Sequence, residues 1–266
     1  MKKSKISRAF ASFDGVCPFK CLHCYTYTKD FNSKGQTNIS NIIEKLEKET
    51  FDIIYISGYK ENFYPSNEGI DLIESIYERF NCHILFTTRN VFSKEEIQRL
   101  SQINKNMNKS KKLLFACVSI SAGNSYRKIE PKELIKSPEE RVMFLKKLFD
   151  EDIITILTLR PVFPDGYIPT KEYLDIINLM ENNCDAIISS GIVVNEHILQ
   201  QLKDFPENYN YAQKPIMNCL QQDNLLVKYV DVSTELENIK GKSHECNIPF
   251  FSESMDAVEY FIKKYT

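Results

Sequence analysis

The sequence predicts an α/β chain: a partial parallel (β/α)6 barrel over residues 1–205, with a short C-terminal extension, 206–266, that covers the barrel opening. Three observations carry that expectation. Six short apolar runs rich in β-branched residues recur along the chain, and segments with helical spacing lie between them. The third is size: 266 residues, 42% hydrophobic and 26% charged, hold enough material for one large core. Chains of this length also divide into two domains, but α/β barrels take such lengths as one, so a single barrel with a tail is the simpler reading.

The runs fall at 6–13, 53–56, 83–87, 113–120, 153–159 and 186–188. Their unbroken hydrophobicity suits strands buried on both faces of a parallel sheet, where alternation is lost. Between them, Ile70, Ile73, Tyr77 and Phe80 form one helical stripe, and Val142, Leu145, Leu148 and Phe149 form another. Two helix starts carry capping boxes, Ser93 with Glu96 and Ser137 with Glu140, the second having Pro138 at its first helical position. Strand and helix thus alternate about six times, which implies right-handed crossovers and a parallel sheet. After residue 211 the pattern changes: 225–232 reads as one more strand and 255–262 as a closing helix.

Parallel barrels build their sites at the carboxyl ends of the strands. The residues just past each run are therefore candidates: Ser57 and Gly58 after the second, Arg89 after the third, Ser119 and Ser121 at the fourth, Arg160 after the fifth. Small hydroxyls, a glycine and arginines suit a polar, zwitterionic ligand, although each serine alone is also ordinary turn chemistry. The loop after the first run holds Cys17, Cys21 and Cys24 in a CxxxCxxC spacing. Thiolates at short, turn-compatible spacing hold iron–sulfur clusters, and three of them leave one iron open for an exogenous ligand. A zinc knuckle would need a second ligand pair, and no second CxxC or CxxH follows. A disulfide framework is also disfavoured, at eight cysteines in 266 residues.

A formal net charge of -2 and a pI near 6.2 give no global field for attracting nucleic acid. No apolar run approaches the ~20 residues that cross a bilayer. The basic start, Met1 to Lys5, leads into no hydrophobic signal core, and unpaired thiols suit a reducing compartment, so a cytoplasmic location is expected.

The cysteine spacing resembles the signature of the radical S-adenosylmethionine (SAM) superfamily. Further stretches resemble its spore photoproduct lyase-like branch: 57–65, 86–90, 129–131 with 137–141, and 160–164. Together they span most of residues 6–190, though only the cysteine triad is highly specific. The resemblance implies a partial barrel of radical SAM type, a 4Fe-4S cluster held by Cys17, Cys21 and Cys24, and SAM bound at the open iron. In that superfamily an electron from the cluster cleaves SAM to a 5'-deoxyadenosyl radical. A reductant such as flavodoxin or ferredoxin is the implied partner.

Roles follow by position as what the resemblance implies. His23 occupies the slot whose backbone meets the adenine of SAM. Ser57 and Gly58 stand at the amino end of SAM, and Arg89 stands where the branch has a lysine near the SAM carboxylate. Ser119 and Ser121 fall at the ribose or sulfonium end. Glu130 and Arg141 are expected to brace their loop as a pair rather than to catalyse. One departure matters: the branch's lyase returns a hydrogen atom from a cysteine near the end of the second strand, where this chain reads Ile54, Tyr55, Ile56, Ser57. Tyr55 is expected to pack with a hydrogen-bonded hydroxyl.

Cys82, Cys117 and Cys184 sit beside or within apolar runs as buried thiols. Cys219 and Cys246 lie in the tail, as plain thiols, hydrogen-atom donors or ligands of an auxiliary cluster. Three functions remain open. The first is a radical SAM enzyme acting on an unidentified substrate. The second is a nucleic-acid repair or base-modification enzyme of the lyase-like branch, with Lys105, Lys109, Lys111 and Lys112 as its basic patch. The third is a non-enzymatic metal-binding or sensing protein.

Overall fold

A computed structural model describes residues 6–26, 36–58, 60–65, 68–212 and 227–266. Tyr59 and Cys219 lie outside them. The strands are β1 (Arg8–Ala11), β2 (Ile53–Ile56), β3 (His83–Thr88), β4 (Leu114–Ser119), β5 (Ile154–Val162) and β6 (Ala186–Gly191), followed by the short β7 (Val193–Val194), β8 (Lys228–Tyr229) and β9 (Phe250–Phe251). The helices are α1 (Ile39–Leu46), α2 (Glu68–Arg79), α3 (Lys94–Lys109), α4 (Pro138–Phe149), α5 (Thr170–Leu179), α6 (Glu196–Gln201), α7 (Ser233–Glu245) and α8 (Ser254–Tyr265). The main sheet has seven strands in the order β1-β2-β3-β4-β5-β6-β9, every pair parallel. All six predicted strands are present. The seventh comes from the extension and is only two residues long, too short to show a period.

β7 and β8 pair antiparallel as a separate ribbon. The strand expected over 225–232 is realised as β8 alone, with residues 225 and 226 outside those described. Both capping boxes form as read: Glu96 N–H donates to Ser93 Oγ at 3.2 Å and Glu140 N–H to Ser137 Oγ at 3.2 Å, with each glutamate accepting from the serine's own N–H.

The two faces of the sheet have different covers. Ile54, Ile56, Ile84, Phe86, Leu114 and Val118 point to the helix side and share one core with residues of α1 to α5. The register aligns the opposite face in rows. Above Arg8, Ile53 and His83 at the amino ends, one row runs Phe10, Tyr55, Leu85, Phe115, Ile154; the next runs Thr87, Cys117, Ile156, Ala186; the next runs Ser119, Thr158, Ile188, Phe251. Side chains i and i+2 share a face, so these rows climb the concave interior towards the strands' carboxyl ends. α8 seats Ala257, Val258 and Phe261 against the apolar lower part, Phe261 lying 6.2 Å from Phe115 between ring centroids. The interior thus passes from an apolar plug to hydroxyl-bearing side chains.

Candidate active site

The loop after β1 carries the cysteines across the carboxyl end of the sheet. Phe13 bridges to Gln36, and Leu22 N–H donates to the Ile129 carbonyl at 2.9 Å, docking the loop on the segment after β4. Cys24 N–H turns back onto the Cys21 carbonyl at 3.1 Å, and Lys20 takes a left-handed φ of 47°. Phe19 and Ile135 wall in Cys21, with Cys17 and Cys24 packed at the edge. All three thiols are free, Cys21 buried and the other two half-buried. Burial pushes Cys21 well above the usual thiol range and raises Cys17; each of the two also feels the like charge of Cys24. Three thiols gathered in one loop are a donor set for a cation, because coordination deprotonates a thiol outright.

These residues fit a cluster held by three thiolates. Among the described residues the other cysteines stand elsewhere: Cys82 and Cys184 before the amino ends of β3 and β6, Cys117 inside β4, and Cys246 at the end of α7. A mixed site is geometrically near, since a Cys21 sulfur, a His23 nitrogen and a Glu130 oxygen lie within 4.8 Å of one another. Glu130 is already engaged, however. Its Oε1 accepts from Arg89 Nε at 2.9 Å and its Oε2 from Arg141 at 2.7 Å. Such a carboxylate is a poor metal ligand, which favours the three-thiol set over zinc. Burial pushes the Glu130 carboxyl up, and Arg141 and Arg89 more than reverse it, to about 2.

The expected pair of Glu130 and Arg141 is present and fully buried, with Arg141 also donating to the Ser119 carbonyl at 2.7 Å. Arg89 joins it as a third member and also donates to Ser121 Oγ at 3.3 Å. Ser121 in turn donates to the Arg160 carbonyl at 2.7 Å. Arg89 therefore arrives at the mouth with its Nε and Nη2 donors engaged. His23 is buried with its ring edge-on to Phe163 at 5.9 Å, and its Nδ1 has no partner among the described residues. Burial, then Arg89, lower the His23 pKa to about 3, so the ring is neutral.

At the second strand end, Ser57 sits at φ 64°, a left-handed conformation uncommon outside glycine that persists where its surroundings fix it. Asn62 does the fixing, donating to Ser57 Oγ from its N–H at 3.1 Å and from Nδ2 at 3.0 Å. Gly58 lies so close to Phe10 that an added Cβ would sit 2.9 Å from the ring. Glu61 and Asn62 are site-building residues the sequence reading did not single out. Buried Glu61 accepts from Phe63 N–H at 3.0 Å, Thr88 Oγ at 3.0 Å and Arg89 N–H at 2.8 Å, lacing the second and third strand ends together. Their signal was an acid and an amide set between an apolar strand and Phe63.

Deeper in the interior, Tyr55 stacks on Phe10 at 5.8 Å, and its buried hydroxyl is near Ser254 without making a well-formed hydrogen bond among the described residues. The ring fills the apolar row, and burial raises its pKa beyond the ordinary tyrosine range. The Thr158 hydroxyl likewise makes no well-formed hydrogen bond among them. Arg160 reaches Ser254 Oγ at 3.2 Å and the Ser252 carbonyl, tying the mouth to the extension. Lys105, Lys109, Lys111 and Lys112 lie on the end of α3 and the turn before β4. That is the amino end of the barrel, opposite the cysteine loop, so they do not line this mouth.

No family model matches the chain, and no curated protein matches it by sequence. Solved structures match it in fold. A cysteine-to-serine variant of spore photoproduct lyase aligns with a TM-score of 0.59 at 14% identity, covering 92% of this chain and 74% of that one. A doubly substituted variant of the lyase with bound AdoMet and dinucleoside spore photoproduct aligns at 0.58 and 13%, covering 92% and 76%. Streptococcus suis SuiB bound to S-adenosylmethionine aligns at 0.57 and 11%, covering 94% of this chain and 51% of SuiB, so the chain spans about half of that protein. Both neighbours are radical SAM enzymes, and the chain has their partial-barrel fold. No helix among the described residues is long and apolar enough to cross a membrane.

Proposed function

We propose that this chain is a radical SAM enzyme, with Cys17, Cys21 and Cys24 holding one 4Fe-4S cluster whose open iron takes the amino and carboxylate groups of SAM. The observation that carries the reading is a CxxxCxxC loop that packs Cys17 and Cys24 beside the buried Cys21, standing at the carboxyl mouth of a fold shared with radical SAM enzymes. Bound there, cluster and SAM would supply reductive cleavage to a 5'-deoxyadenosyl radical, which abstracts hydrogen from an unidentified substrate. The chain's part is to hold and shield. Ser57 and Gly58 offer a tight, rigid strand end; Ser119 and Ser121 supply hydroxyls higher in the interior; the aromatic ring of Phe163 and the neutral His23 close the wall beside the thiols. The apolar lower rows and α8 exclude water and stray hydrogen donors from below.

The substrate is a separate matter. One fold neighbour was solved with a bound dinucleoside photoproduct and another, SuiB, with a bound precursor peptide, so the shared fold does not choose between nucleic acid and peptide. After anaerobic reconstitution the protein is expected to hold about four irons per chain and to release 5'-deoxyadenosine from SAM under a strong reductant. A folded sample that takes up no iron and makes none of that product would overturn the proposal. Salt-sensitive binding of single- or double-stranded DNA would argue for a nucleic-acid substrate, and no binding at low salt would argue against it.

A further inference from the structure

Cys21 faces a fixed array of charges. A Glu130 oxygen lies within 4.8 Å of its sulfur. Glu130 is clamped between Arg89 at 2.9 Å and Arg141 at 2.7 Å, and Arg141 is anchored on the Ser119 carbonyl at 2.7 Å. Two guanidiniums and one carboxylate sum to one net positive charge. Glu130 and Arg141 are fully buried, and the Arg89 side chain is 23% exposed.

A lone carboxylate beside three thiolates would repel them. The two arginines paired with it reverse the sign. The three members come from the end of β3, the segment after β4, and α4, so they cannot drift apart without unpicking the mouth. Buried ion clusters are a poor source of net stability, because desolvation consumes most of their attraction. The position of this one beside Cys21 asks for another role.

We propose, resting on the reading above, that the Arg89, Glu130 and Arg141 triad is a built-in countercharge to the cluster, and that Arg89 is a positioning residue that raises its reduction potential rather than chiefly a ligand of the SAM carboxylate. In the step concerned, an external low-potential flavin or iron–sulfur donor gives up one electron, which the site accepts; no bond forms or breaks, and the site gains one negative charge. Net charge and hydrogen bonding around the ligands set such potentials, and a buried negative charge costs less beside a positive array.

The test is an EPR-monitored redox titration of the reconstituted full chain without SAM, alongside a separate measurement of SAM affinity. Arg89→Met leaves Glu130 paired with Arg141; Arg89→Gln serves if the methionine variant fails to fold, and Arg89→Lys restores the charge. The expected result is a more negative potential for the neutral variants and a near-wild-type one for Arg89→Lys. A neutral variant with wild-type potential but weakened SAM binding would overturn the inference and make Arg89 a SAM ligand. Wild-type protein that takes up no iron would instead overturn the functional reading itself, and the iron assay shows that before any variant is compared.

Discussion

The lower and upper halves of the barrel interior are lined by the same strands and solve opposite problems. Near the amino ends, Ile53, Leu85, Phe115 and Ile156 meet Phe261 and Val258 of α8 in a largely apolar plug. Near the carboxyl ends, Glu61, Arg89, Glu130, Arg141 and Ser121 form a buried polar lattice beside the thiols, and the hydroxyls of Tyr55 and Thr158 are left without well-formed hydrogen bonds between the two. The plug is where the chain gains stability from buried apolar area. The mouth spends some of that stability on buried charge and orphaned polar atoms, as sites built for a ligand do.

The comparison breaks most sharply at the thiols. Cys21→Ser is expected to abolish iron uptake and the visible absorption that reports it while leaving the circular dichroism spectrum and melting temperature close to wild type. Phe261→Ala should do the reverse. It leaves a cavity against Phe115 costing about 4 kcal/mol of unfolding free energy, read by denaturant titration, with cluster assembly kept under conditions where the protein is folded. Glu130→Gln strikes the polar lattice of the mouth itself. It leaves buried Arg141 without its countercharge and should lower stability by about 3 kcal/mol, measured in the iron-free protein so that metal binding does not mask the loss.

The smallest effect concerns pH at the amino end. His83 Nδ1 accepts from Leu113 N–H at 3.1 Å, and burial, then Lys112, lower its pKa from 6.5 to about 4. Between those values the unfolded chain binds more protons than the folded one, so stability is full above pH 6.5, falls as pH drops through the window and levels off below about 4. The full shift would be worth about 3 kcal/mol, which solvent screening of a partly exposed group reduces to about 2, and His83→Gln should remove that part of the slope in thermal melts run across the window.

Much of the plug and the frame was legible in the sequence, because strand and helix signals are local. The run at 53–56 is a strand with those bounds, and both capping boxes formed as spaced. The closing helix was visible too, but not its seat: nothing in the amphipathic pattern of Met255 to Ile262 says that it fills the concave face. The mouth was harder to read for the same reason. The pair of Glu130 and Arg141 lies 11 residues apart and was anticipated, whereas Arg89 reaches Glu130 across 41 residues. The Glu61 lattice spans 27 or 28. Such contacts depend on strand ends meeting in space and leave no local period. Lys105 to Lys112 show the converse: a basic run conspicuous in sequence that folding puts at the wrong end of the barrel for this site.

The central claim, that three thiols at the mouth hold a cluster with one iron open to SAM, is tested most directly by EPR of the reconstituted, reduced protein before and after SAM is added. A reduced-cluster signal whose shape changes on adding SAM is the result this account expects. A protein that gives no such signal, or one whose signal SAM leaves unchanged, would contradict it.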